Sequence, residues 1–193
     1  VDNGELEVPS AAKLKEIALE IQAKTYAQSK LVVDGTQSGA DAGVCEICLF
    51  NSYGLELKKS AGAVDYYSCP VVSDGNETED GFEYKTSRTF DKIDEVVEKA
   101  VEKASDKLGA DSVPSGSYNI ILDGKKFSSI LAEFCGSFSA KQVKLGLSKF
   151  AGRLDEKVAA DIITITDDPF SDELSGKNAF DGEGVATYTK NII

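Results

Sequence analysis

The feature that most constrains this fold is a change of hydrophobic period near residue 90. From Lys30 to Arg88 apolar and polar residues alternate, as in strands with one wet face. From about Asp91 to Leu108 the period becomes helical: Ile93, Val96, Val97, Ala100, Val101, Ala104 and Leu108 form one apolar stripe, with Glu and Lys opposite, and Gly109 ends it. A sheet with one apolar face and a helix with one apolar stripe each need a cover, and each can supply the other's. The expected class is therefore α+β: an antiparallel strand meander packed with amphipathic helices, followed by a smaller mixed α/β piece.

Within the alternating region the predicted strands are Leu31–Val33, Val44–Phe50, Leu55–Lys59, Ala61–Val72 and Phe82–Arg88. The turn Asn51-Ser52-Tyr53-Gly54 makes Leu55–Lys59 a hairpin partner, and Ser73–Gly81 is an acidic loop. Upstream, Ser10 can cap a helix through about Lys24, with Leu14, Ile17, Ala18 and Ile21 on its core face. Asp111–Ser117 carries Pro and Gly between a helix stop and a new strand, Tyr118–Leu122. It divides the chain into residues 1–114 and 115–193. A second helix from about Lys125 to Cys135 aligns Phe127, Ile130, Leu131, Phe134 and Cys135. Residues 143–158 fit strand and helix equally, and their state stays open.

Thr164–Thr187 begins where an apolar run stops at Asp167-Asp168-Pro169 and ends on Phe180-Asp181-Gly182-Glu183-Gly184. Seven carboxylates fall between Asp161 and Glu183. They lack the alternate ligand spacing and closing Glu of a calcium loop, so a structured turn is the favoured reading. The flanking glycines give its backbone access to positive φ.

Composition removes several functions. The 193 residues carry 33 acids against 21 bases, a net charge of −12, which repels phosphate backbones and argues against nucleic acid as a partner. No apolar run approaches the roughly 20 residues needed to span a bilayer, and no signal-peptide pattern opens the chain. The four cysteines (Cys45, Cys48, Cys69, Cys135) lack ligand spacing, because Cys45 and Cys48 would point to opposite faces of one strand. With no histidine, neither a Ser-His-Asp triad nor a His-ligated zinc can be completed by this chain. It also lacks methionine and starts at Val1, so it is expected to be an excised or processed piece.

The wording resembles the TldD/PmbA family, also called modulator of DNA gyrase. The matching segments are NSYG from Asn51, SDG from Ser73, EDGFEYKTSRTFDKID from Glu79 and KLGADSVPSGSYNIIL from Lys107. FSAKQV from Phe138, FAGRLDEKVA from Phe150, ITITDDP from Ile163 and FDGEGVAT from Phe180 follow in order. Asp167, Asp168, Pro169 and Phe180–Gly184 form the signature loop, and the chain matches the middle of the family protein. The resemblance implies that 1–114 is the latter part of an N-terminal α/β domain and 115–193 the start of a C-terminal one.

The resemblance further implies a metallopeptidase in which TldD-type subunits carry a His-Glu-x-x-x-His helix and PmbA-type (TldE) subunits do not. Counting back from FAGRLDEKVA places that motif on Leu131-Ala132-Glu133-Phe134-Cys135-Gly136. Leu131 and Gly136 stand where the ligands would be, Ala132 where the Glu would be, and core packing accounts for Leu131. The expectations are a non-catalytic PmbA/TldE-like fragment with no catalytic or metal-ligating residue of its own. Zinc would sit on a TldD-like partner, the substrate would be a small or unfolded peptide, and the location cytoplasmic. A homodimer is left open. The rivals are a scaffolding protein with cation-binding acidic loops and a hydrolase using carboxylates alone, with Asp167, Asp168, Asp181 and Glu183 as candidates.

Overall fold

Four strands carry the first unit of the fold. The computed structural model describes residues 6–171, 174 and 176–193, and its backbone forms two units. The described residues within 1–112 and 169–188 make the first, and residues 113–168 with 189–193 the second. The first begins with α1 (Ala11–Gln28), whose Lys13 N–H donates to the Ser10 hydroxyl at 3.2 Å, as an N-cap should. Strands β1 (Val32–Phe50) and β2 (Glu56–Ser73) then form one long antiparallel hairpin. Its turn is closed by Asn51, whose Oδ1 accepts from the Tyr53 and Leu55 amides. On the other edge of β2, β3 (Thr78–Asp80) pairs with Val71–Ser73 and β4 (Glu83–Ser87) with Val64–Ser68.

The antiparallel sheet with helices is therefore present, with differences in detail: Thr78–Asp80, read as part of an acidic loop, is strand β3. Leu31–Val33 and Val44–Phe50 are one strand, and so are Leu55–Lys59 and Ala61–Val72. The Gly-, Ser- and Asp-containing residues between the first two runs are paired as well: the register shifts between Val33 and Gln37, after which the ladder resumes. A partner strand on one side supplies hydrogen bonds that local composition does not reveal.

The helix α2 (Ile93–Ser105) packs Ile93, Val96 and Val97 against Ile17 and Ile21 of α1 and Val64 and Tyr66 of β2. A neighbouring cluster joins Val101 and Ala104 to Val32 and Val72. Between α1 and β2 a buried polar pair, Thr25 and Ser68, shares a 2.8 Å hydrogen bond, and Thr25 also donates to Ile21 O. Burying two hydroxyls is tolerable only because each is bonded.

In the second unit, α3 (Gly124–Phe134) is capped by Asp123, which accepts from the Lys125 and Lys126 amides. A 3₁₀ turn (Cys135–Phe138) and the short α4 (Ala140–Lys144) follow, and β5 (Thr166–Asp167) pairs with β6 (Lys190–Asn191). One expectation fails here, and one open segment is decided. Tyr118–Leu122 is not a strand: no described residue pairs with it, and Ile121 is fully exposed. Residues 145–158 are neither strand nor helix but successive turns. Among the described residues, every buried apolar side chain belongs to the first unit. Among the described residues the apolar periodicity of the second unit finds little to bury against and fixes little structure.

Candidate functional site

The signature loop is built on a turn held by one carboxylate. Phe180 is 6% exposed and bridges Ala186 in antiparallel fashion. Between them the Asp181 amide donates to Val185 O at 3.0 Å and the Gly184 amide to Asp181 O at 3.2 Å. Asp181 Oδ1 accepts from the amides of Val185 and Glu183, each at 2.9 Å. These backbone donors, Val185 first, hold the Asp181 carboxyl below its ordinary range, and the Lys59 charge adds to them.

Lys59 of β2 pins this turn to the hairpin. Its Nζ donates to Phe180 O and to Asn178 Oδ1, each at 3.0 Å, and stands 4.7 Å from the centroid of the Phe180 ring. Of the two glycines flanking Glu183, only Gly184 takes positive φ, +83°. A Cβ on it would meet Leu55 Cδ2 at 2.6 Å and Leu49 Cδ2 at 3.1 Å, so the turn's backbone is pressed onto the hairpin end. Alternation in β2 says nothing about this role for Lys59, because the contact spans 121 positions of sequence.

Asp167 and Asp168 belong to the second unit, whereas Pro169 and Phe180–Gly184 belong to the first. Lys190 Nζ lies 2.9 Å from Asp167 Oδ2, and Thr189 Oγ1 donates to Asp168 Oδ1 at 2.7 Å. Pro169 O accepts from the Asn178 amide at 2.8 Å. Of the seven carboxylates, Asp172 and Glu173 lie outside the described residues, as does Ser175. Among the described residues no three His, Cys, Asp or Glu side chains are grouped to hold a metal. In the acidic loop before β3, Asp74 Oδ1 accepts from Asn76 N and Glu77 N, and Glu77 accepts from Gly109 N, 32 residues on.

The metal-motif positions fall across a change of helical pitch. Leu131 and Ala132 are on α3, while Gly136 is in the 3₁₀ turn that follows it. The donor set there is Leu, Ala and Gly beside one exposed carboxylate, Glu133, which does not fit a zinc ion. Core packing does not account for Leu131, contrary to expectation. No residue of α3 is buried, Leu131 is half-buried, and Ile130 and Phe134 are 49% and 60% exposed. The same unit contains a groove of about 1000 Å³ lined by Phe138, Val143, Phe150, Ile163 and Ile192, which the sequence did not single out. Phe138 and Phe150 stack in it with centroids 5.1 Å apart.

Residues 4–108 match the model of the PmbA/TldA metallopeptidase central domain, and residues 115–193 that of the C-terminal domain. The chain belongs to the PmbA/TldD family. A PmbA metalloprotease homologue from Buchnera aphidicola is 23% identical over 98% of this PmbA/TldD chain and 42% of the relative. A metalloprotease from Methanothermobacter thermautotrophicus is 30% identical over 93% of the chain and 40% of the relative. A Thermotoga maritima protein described as a modulator of DNA gyrase superposes with a TM-score of 0.88 at 23% identity, covering 99% of this chain and 46% of that one. TldE from Thermococcus kodakarensis gives 0.77 at 24% identity, covering 98% and 43%. The chain thus spans less than half the length of these relatives.

Proposed function

We propose that this PmbA/TldD chain is part of a non-catalytic, PmbA/TldE-like subunit of a cytoplasmic two-subunit metallopeptidase. The observation that carries the reading is the donor set at positions 131–136. In a family named for metal-dependent peptide cleavage, Leu131, Ala132 and Gly136 offer no side-chain ligand, and the chain has no histidine to replace them. The zinc, its bound water and the general base then belong to a TldD-like partner, where the metal lowers the pKa of the attacking water. This chain's own work is to hold an extended substrate. Among the described residues β1 pairs only along its β2 edge, so its other edge can take a small or unfolded peptide as an added strand. Main-chain hydrogen bonds of that kind are indifferent to side-chain sequence, which suits unfolded or precursor peptides.

The test is a fluorogenic-peptide assay on the full-length parent alone, the TldD-like partner alone and the mixture, each with and without a chelator. Chelator-sensitive cleavage confined to the mixture is expected. Chelator-sensitive cleavage by the parent alone would refute the reading.

A further inference from the structure

The alternation that buries Val64, Tyr66 and Ser68 in β2 turns their neighbours to the opposite face of the sheet. Helices α1 and α2 pack on the buried side, through Ile17, Ile21, Val96 and Val97. On the outer side three rings stand in a row. Tyr67 and Phe82 have centroids 5.8 Å apart, Phe82 and Tyr84 5.9 Å, and Phe82 and Tyr84 remain 51% and 52% exposed. Gly39 is the register partner of Tyr67, and a Cβ there would stand 2.4 Å from Tyr67 Cε1, so the ring lies over bare backbone. One step along the same face, Asp41 and Asp65 are direct cross-strand partners, both exposed, and Asp65 accepts from the Thr86 hydroxyl of β4. Like charges directly opposite weaken an antiparallel pair. Among the described residues neither carboxylate has a cationic partner.

We propose that this outer face is a docking surface for an arginine-bearing polypeptide segment, held by Tyr67, Phe82 and Tyr84 together with Asp41 and Asp65. Charge selects the occupant. A planar guanidinium stacks on an aromatic face and forks to a carboxylate, and this surface presents both within one step of the ladder. The net charge of −12 draws a cationic chain in, while it repels nucleic acid and a second copy of this protein. The inference does not depend on the peptidase reading.

The experiment uses the full chain, isotopically labelled, titrated with a nine-residue peptide alternating arginine and glycine. A glutamate-glycine peptide serves as control. Saturable amide shifts are expected at Gly39–Asp41, Asp65–Tyr67 and Phe82–Thr86, and none with the control. The double variant Asp41→Asn/Asp65→Asn should weaken binding about tenfold. Glu98→Gln/Glu102→Gln, which removes the same charge from the solvated face of α2, should leave affinity within about twofold. Absence of saturable shifts, shifts centred on the Ser73–Gly81 loop, or equal weakening by both double variants would each overturn the proposal. So would self-association of the free chain that Tyr84→Ala abolishes, since it would assign the face to a second copy.

Discussion

Lys59 and Phe180 meet twice: the Lys59 ammonium donates to the Phe180 carbonyl at 3.0 Å and stands 4.7 Å from the centroid of the same residue's ring. One cation thereby satisfies a carbonyl in a turn and covers the aromatic face that the turn buries. A charge-assisted hydrogen bond contributes about 1.5–3 kcal/mol and a partly exposed cation–π contact about 0.5–1 kcal/mol. Because Lys59 keeps some contact with water, Lys59→Ala is expected to cost about 1–2 kcal/mol in urea unfolding. Hydrogen exchange at the amides of Asp181, Val185 and Thr187 should quicken with it, as those bonds close the same turn. Unchanged exchange at these amides would show that Lys59 does not hold the loop.

Gly184 and Gly54 separate two costs of replacing a glycine. Both have positive φ, +83° and +87°, but a Cβ at Gly54 meets nothing within 4 Å whereas one at Gly184 runs into Leu55. Gly54→Ala should cost only the left-handed backbone penalty, about 1–2 kcal/mol. Gly184→Ala should add overpacking of a further 1–3 kcal/mol. Equal midpoints for the two variants in denaturant would contradict the close approach.

The Asp181 turn predicts a specific acid response. Its carboxyl is held below the ordinary aspartate range, so the native state binds this proton less readily than the unfolded chain. Its stabilising contribution is therefore complete above the unfolded value, near pH 4, and is lost as the pH falls through the lower native value. Asp181→Asn keeps an acceptor for Val185 N and Glu183 N but does not titrate. The stability difference between wild type and Asp181→Asn should be constant above about pH 5 and shrink below pH 4. A difference that grows on acidification would refute the assignment.

Two ion pairs of nearly equal length should differ in worth. Lys103 reaches Glu83 at 2.6 Å, where the Glu83 side chain is 6% exposed; Lys99 reaches Glu95 at 2.7 Å on the open face of α2. Lys99→Ala should leave stability nearly unchanged. Lys103→Ala weakens the compensation of a buried carboxylate and should cost about 1–2 kcal/mol, below the figure for a fully buried pair because Lys103 is itself 46% exposed. Thermal unfolding at low and high salt checks this, since salt should erase the first effect and leave most of the second.

What could be read from the sequence is what nearest neighbours decide. The stripe from Ile93 to Ala104, the Ser10 cap, the Asn51 turn and the period of two in β2 are local patterns, and each became the element it implied. Family membership was also legible, because strings such as FDGEGVAT record residue identity directly. The tertiary structure alone decided the rest. Tyr118–Leu122 has strand composition but no partner, and α3 has an apolar stripe but no described core to bury it, since hydrogen bonds and burial are properties of pairs distant in sequence. Lys59 and Phe180 stand 121 positions apart, and Asp41 meets Asp65 only because a hairpin folds β1 onto β2. Chain periodicity fixes which face a residue takes; only folding fixes what stands opposite it.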